Sequence, residues 1–183
     1  VDKKIILSWN AILLKGLICC YQSLGEKKYL EIGLKNADFL IKNFLKKKNI
    51  KRVHQSNVDA FIDDYAHTIS AFIKLYEATR IKRYLDIARN LTEDSIKLFY
   101  NKEERLFNFN GKKNEELIAN KIEIFDNVIP SSNSVMFNNL LLIGKYYNDK
   151  LYQNIYNDMS LQLKKFLNNY EYLSNWIYTN QIN

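Results

Sequence analysis

The stretch Phe61-Ile62-Asp63-Asp64-Tyr65-Ala66, running on to Leu75-Tyr76-Glu77-Ala78-Thr79, sets two adjacent carboxylates and a tyrosine at the mouth of a segment that then carries almost no charge. A helix that is apolar nearly all round is buried on several sides, so the pattern predicts a sheltered helix over roughly 64–79 with a polar opening. Two other segments read the same way. Trp9, Ile12, Leu13, Leu14, Leu17 and Ile18 mark one over roughly 8–24, and Leu140, Leu141, Leu142 and Ile143 mark another over roughly 132–147. Each is followed by a segment with a single apolar stripe, over roughly 27–47, 81–100 and 149–169. In the first of these Leu30, Leu34, Ala37, Ile41 and Phe44 lie opposite Lys27, Lys35 and Lys42, so that helix faces water on one side.

The alternation is a repeat. Gly25-Glu26-Lys27-Lys28-Tyr29-Leu30-Glu31-Ile32 resembles Arg80-Ile81-Lys82-Arg83-Tyr84-Leu85-Asp86-Ile87 and Asn148-Asp149-Lys150-Leu151-Tyr152-Gln153-Asn154-Ile155, and in each copy the tyrosine opens a second helix. Three helical hairpins, inner helices jacketed by amphipathic outer ones, predict an all-α fold: a partial α/α toroid, with a superhelical solenoid as the alternative. Solenoid repeats are even, whereas these copies lie 55 and then 68 residues apart, which favours the toroid. The connector at 48–62 is expected to include a short strand at Lys51 to His54. The connector at 101–130 reads as a β-hairpin inserted near 105–120, with Arg105 to Phe109, a turn at Asn110-Gly111-Lys112-Lys113 and a return near Glu116 to Ala119. Both connectors lead into inner helices, so their polar openings are expected to gather at one pole.

The 183 residues are enough for one core, and residues 1–183 are expected to form one helical domain. Apolar residues at 47% and charged residues at 26% exclude a disordered chain. No run nears the roughly 18 apolar residues of a membrane span, and the opening lacks the order of a signal peptide, so a soluble, cytoplasmic protein is expected. The chain begins at Val1 and enters a dense motif by Ser8, so it is expected to be a piece of a longer protein. The formal charge of +7 comes from scattered lysines, which argues against a nucleic-acid partner; Lys46-Lys47-Lys48, the densest basic run, suits a solvated helix end. Neighbouring Cys19 and Cys20 point about 100° apart on a helix, so they read as small core residues rather than a disulfide or CxxC pair.

The inner helices open with Ser8-Trp9-Asn10, Asp63-Asp64-Tyr65 and Pro130-Ser131-Ser132-Asn133-Ser134. Capping accounts for one Ser or Asp in each. Trp9, Asn10, Tyr65 and Asn133 remain as side chains that stack on and hydrogen-bond a polyol. Glycoside cleavage needs two carboxyl groups, and Asp63, Asp64 and Asp126 are the candidates. His67, three residues past Asp64, is a candidate base held by that carboxylate, with ring packing as the plainer reading. Two histidines without paired cysteines predict no zinc site, and five glycines leave no phosphate loop or nucleophile elbow; no cofactor is expected.

These motifs resemble the C-terminal part of the YyaL-like proteins, relatives of the spermatogenesis-associated thioredoxin-domain protein. The family's D-D-K-I-L-T-S-W-N-G stands here as Asp2 to Ala11, its F-L-D-D-Y-A as Phe61 to Ala66, its L-Y-E-A-T as Leu75 to Thr79 and its P-S-G-N-S as Pro130 to Ser134. Tyr172-Leu173-Ser174-Asn175-Trp176 looks like the opening of a further inner helix. Lys3 stands for an aspartate, Ala11 and Ser132 replace glycines, and no Arg-Asp-Gly turn precedes Asp63. The resemblance implies a helical toroid of the six-hairpin glycosidase kind, joined in the parent to a thioredoxin-like domain that this stretch does not contain. It also implies a carbohydrate-like ligand with glycosidase- or sugar-epimerase-like chemistry. A non-catalytic scaffold is the alternative. Carboxylates lining a cleft would favour the first, and carboxylates bound to helix amides the second. A partial ring exposes apolar edges, so self-association is expected.

Overall fold

The computed structural model describes residues 4–45, 50–111 and 121–181, and among these it is helical apart from one two-stranded hairpin and two isolated bridges. The helices follow the predicted order: α1 (Leu7–Leu24), α2 (Lys27–Leu40), α3 (Ile62–Thr79), α4 (Lys82–Phe99), α5 (Ser132–Tyr147), α6 (Lys150–Leu163) and α7 (Ser174–Gln181). A π turn over Ile41–Leu45 extends α2, and a 3₁₀ stretch over Lys164–Tyr172, broken at Asn169, extends α6. The three repeat copies share one reversal. Gly25, Arg80 and Asn148 all adopt the left-handed conformation, at φ 73°, 59° and 50°, and their N–H groups donate back to Tyr21, Tyr76 and Gly144. A left-handed residue just past a helix ends it and turns the chain.

The chain divides into two compact units, Val1–Asn90 and Leu91–Asn183. In the first, α1 packs on α2 and α3. Gly33 permits the close approach of α2, since a Cβ there would come 2.9 Å from Cδ1 of Ile18. Helix α3 is the sheltered rod the sequence predicts: Ile69, Ala71, Phe72, Ile73 and Leu75 are all buried, each large side chain contributing about 1.5–3 kcal/mol. Ser8 N–H donates to Asp64 at the starts of α1 and α3, while Lys15 feels Lys74 and Glu77 further along. The two helices therefore run parallel, about 56 residues out of register. In the second unit α5 packs on α6 and α7, with Phe137 stacked on Tyr156 at 4.3 Å and tilted against Trp176 at 5.0 Å. Residues 174–181 thus form the further helix that the Tyr172 to Trp176 motif announces.

Three expectations need correcting. Helix α1 is not sheltered all round: Trp9 and Leu13 are 64% and 53% exposed, on a stripe that continues to Cys20. Cys20 is accordingly exposed and Cys19 half-buried, both free thiols rather than core residues. Among the described residues the hairpin pairs β1 (Tyr100–Asn101) with β2 (Leu106–Phe107), upstream of the expected turn at Asn110-Gly111, while beyond β2 Phe109 N–H donates to Lys121 C=O at 2.7 Å. Its own turn is made by Asn101, whose side chain accepts from Glu103 and Glu104 N–H, and by left-handed Arg105. The return near Glu116 to Ala119 and the Lys46 to Lys48 run lie outside the described residues. The strand expected at Lys51 to His54 is two single bridges, Lys51 to Asp59 and Val53 to Ile6, with a bend at Arg52 and a turn at His54.

Candidate functional site

The connector before α3 is held flat against the entrance of α1. Leu7 N–H donates to Arg52 C=O and His54 N–H to Ile5 C=O, both at 2.9 Å, while Arg52 N–H donates to Val58 C=O on the other side. This delivers the Arg52 side chain to the first turn of α3. There its Nη1 donates to both oxygens of Asp63 (2.8 and 2.9 Å) and to Oδ2 of Asp64 (2.9 Å), with the guanidinium 5.1 Å over the Phe61 ring. Burial opposes the arginine's charge, but the hydrogen bond to Asp63 and the two carboxylates raise its pKa overall.

The two aspartates, adjacent in sequence, have different partners. Asp64 is wholly buried. Its Oδ1 accepts from Ser8 N–H and its Oδ2 from Phe61 N–H, both at 3.1 Å. The second bond is the reach-back of a helix N3 residue to its own N-cap. The first caps another helix: α1 begins after Ile6, with no side-chain cap of its own, and the carboxylate of α3 supplies the acceptor. Burial, then the Asp63 charge, pushes the Asp64 carboxyl up to about 6, against the pull of Arg52 and the amides. Among the described residues Asp63 accepts from Arg52 alone and from no main-chain amide, with its side chain 14% exposed.

Around this pair the other candidates separate. His67 lies one turn beyond Asp63, 6% exposed, with Nε2 meeting no partner among the described residues. Burial lowers its pKa to about 4, so it is neutral at ordinary pH; the carboxylate acting on it is Asp63 rather than Asp64. The other histidine, His54, packs between the Phe39 and Phe44 rings, each 5.7 Å away. Trp9 stands exposed next to Ser8, whereas Asn10 donates inward to Ile6 C=O at 2.8 Å and Tyr65 is buried.

The second unit holds Asp126 and Asn133. Oδ1 of Asp126 accepts from Ser131 N–H (2.8 Å) and Ser134 Oγ–H (2.7 Å), and its Oδ2 from Asn175 N–H (2.9 Å), so one carboxylate ties the starts of α5 and α7. Asn133 is fully engaged. Its Oδ1 accepts from Phe107 N–H, and its Nδ2 donates to Phe107 and Glu123 C=O, clamping the hairpin to α5. Of the three openings, only Pro130 to Ser134 caps its own helix from its N-cap side chain, Ser131 accepting from Ser134 N–H.

Arg52 and Lys15 were not among the sequence candidates. Arg52 sits in a connector without periodicity, and its signal is an arginine shortly before two consecutive aspartates. Lys15 reads as one polar residue in an apolar helix. Among the described residues no group of three or more His, Cys, Asp or Glu side chains is arranged to hold a metal ion, and no helix is long and apolar enough to cross a membrane.

Comparison with known proteins gives a consistent picture. The family model described as Beta-L-arabinofuranosidase, GH127 catalytic domain, matches residues 7–128. An uncharacterized Caenorhabditis elegans protein is 31% identical over 152 residues, 77% of this chain and 21% of its own length. Spermatogenesis-associated protein 20 of Mus musculus is 26% identical over 164 residues, 82% of this chain and 21% of its own. The chain thus spans about a fifth of the curated relatives it matches. Among solved structures, an inactive α-1,6-mannanase variant from Salegentibacter sp. in complex with α-1,6-mannotriose superposes with TM-score 0.72 at 12% identity, covering 87% of this chain and 47% of that one. The cellobiose 2-epimerase of Bacillus thermoamylovorans gives 0.68 at 15% identity, covering 86% and 44%. These likenesses show the fold, that of a partial α/α toroid of the six-hairpin glycosidase kind.

Proposed function

We propose, from the premise that this chain belongs to the family of the β-L-arabinofuranosidase GH127 catalytic domain, that its first unit binds a carbohydrate-like ligand beside Asp63 and contributes to processing it in the full-length protein. The observation that carries this is the division of labour at the start of α3. Of the three candidate carboxylates, Asp64 and Asp126 accept from main-chain amides, while Asp63 accepts, among the described residues, only from a side-chain cation and keeps an edge to solvent. A neutral histidine lies one turn on, and an exposed tryptophan stands at the facing helix start. The mannanase of known structure is inactive as a variant with two consecutive aspartates replaced by asparagine, which supports attention to such a pair. Glycoside cleavage needs two carboxyl groups flanking the bond; Asp64, with its oxygens occupied, serves as the anchor of this pair and Asp63 as the group that meets ligand. Titration with a panel of sugars, followed by tryptophan fluorescence, tests the proposal: saturable binding weakened by Asp63→Asn supports it, and identical behaviour of the variant in every titration counts against it.

A second function is favoured by a specific observation, that Asp64 and Asp126 are bound to helix amides. In it the toroid is a non-catalytic scaffold, and partners captured by the full-length protein survive Asp63 substitution but are lost when outer-helix surfaces are altered. Self-association through the stripe of Trp9, Leu13 and Cys20 belongs to the same proposal. Light scattering that reports a monomer at high concentration refutes it. A cytoplasmic setting suits the two free thiols.

A further inference from the structure

Between α1 and α3 the first unit leaves three polar side chains unmatched. The Ser8 hydroxyl, 1% exposed, and Nε2 of His67 meet no hydrogen-bonding atom among the described residues. The half-buried Lys15 makes no ion pair or hydrogen bond among the described residues. Buried polar atoms are nearly always satisfied, and a partly desolvated cation without a partner is costly, so three such groups along one seam call for a common occupant.

Their order along the seam follows from the helix register. With Ser8 bonded to Asp64, Lys15 comes level with position 71, a turn beyond His67 and a turn before Lys74. The electrostatics agree with this placement. Burial lowers the Lys15 pKa, attraction from Cys19 and Glu77 opposes it and repulsion from Lys74 adds to it, while His67 feels both Asp63 and Lys15. From Asp63 to Lys74 the seam spans about 16 Å of helix rise. Its other charges are already matched: Arg52 holds Asp63 and Asp64, and Lys74 holds Glu77 at 3.3 Å. Lys15 is the cation of the seam left over.

We propose that this seam is an acid-recognising subsite, in which the Lys15 ammonium receives the carboxylate of a uronic-acid sugar while His67 and Ser8, toward the mouth, meet its hydroxyls. The proposal rests on the carbohydrate reading above and narrows it to an acidic ligand. A lysine offers three donors and no acceptor, the Nε2 of a neutral imidazole either donates or accepts according to its tautomer, and the serine does both, which is a set for an anionic, hydroxylated ring. One unmatched positive charge balances one carboxylate. A phosphate monoester would bring closer to two negative charges, next to Asp63 and Glu77. A neutral sugar would leave the ammonium with only the attraction of Cys19 and Glu77 to offset its burial.

The test is calorimetric titration of the whole chain, as wild type and as Lys15→Met, with glucuronate, glucose and glucose 6-phosphate. Lys15→Met keeps the length of the side chain and removes a partly buried charge, so its melting temperature should not fall. Charge-assisted hydrogen bonds predict that wild type prefers glucuronate over glucose by about tenfold or more. The preference should vanish in the variant while glucose affinity stays within about twofold, a range too small to reflect a charged contact. Equal affinities in wild type, or a preference that survives Lys15→Met, overturn the acid subsite and leave the carbohydrate reading standing. Tighter binding of glucose 6-phosphate than of glucuronate overturns the choice of a carboxylate. No binding of any of the three overturns this subsite and the carbohydrate reading together.

Discussion

Replacing Asp64 by asparagine should destabilise the protein far more than the same change at Asp63. The Asp64 carboxylate faces three donors: Ser8 N–H at one oxygen, Phe61 N–H and the Arg52 guanidinium at the other. Asparagine keeps one acceptor oxygen and turns an NH₂ group toward the remaining donor or donors, so at least one buried amide is left facing a donor. An unsatisfied buried group costs about 1–3 kcal/mol, and breaking a buried ion pair about 3–5 kcal/mol when nothing else holds the partner. Arg52 retains Asp63, so the low end applies, at about 3 kcal/mol. For a chain of this size that lowers the melting temperature by roughly 6–12 °C. Asp63→Asn keeps an acceptor for Arg52, which retains Asp64, and turns no amide toward a main-chain donor among the described residues, so about 1.5 kcal/mol is expected, the low end for a hydrogen bond to a charged group. Urea and thermal unfolding of both variants measure the difference. Equal effects, or a larger loss at Asp63, refute the assignment of Asp64 as the shared cap of α1 and α3.

Other substitutions probe the same framework. His67, with its pKa lowered to about 4 from 6.5, stabilises the fold above pH 6.5 and loses that contribution as pH falls toward 4. Its worth is on the order of 3 kcal/mol, so His67→Gln should gain on wild type in urea melts as pH drops through this window. Asp64 acts in the opposite sense: with its pKa raised to about 6 from 3.8, its contribution is full below 3.8 and lost as pH rises through 6. Asp64→Asn should therefore fall further behind wild type on acidification, and a constant gap contradicts the raised pKa. Asn133→Ala strips the clamp from β2 and should cost about 2–4 kcal/mol, with hydrogen exchange at the Phe107 amide speeding up ahead of the helices. Trp9→Ala, at a side chain 64% exposed, should change stability by about 0.5 kcal/mol or less while weakening sugar binding.

The repeat was legible because its physics is local. Alternating all-apolar and one-striped segments, punctuated by Gly25, Arg80 and Asn148, specify helix, reversal and helix without reference to anything distant. The motif Asp63-Asp64 was legible as a polar opening, but the two roles were not, since Asp64 caps a helix that begins more than fifty residues earlier. The same holds for Asp126, whose bond to Asn175 is a tertiary fact. The exposure of Cys20 depends on which face of α1 meets its neighbours, and apolarity all round that helix hides the choice. The Asn110-Gly111 pair is a strong hairpin signal, yet the strand partner of Phe107 is Tyr100, at the end of a helix whose periodicity masks its last residues.

The central claim is that Asp63 meets the ligand and Asp64 holds the fold. Sugar titration of folded Asp63→Asn, set beside its unfolding curve, tests it most directly. The account predicts lost affinity with stability close to wild type. Unchanged affinity in a well-folded Asp63→Asn protein would contradict it.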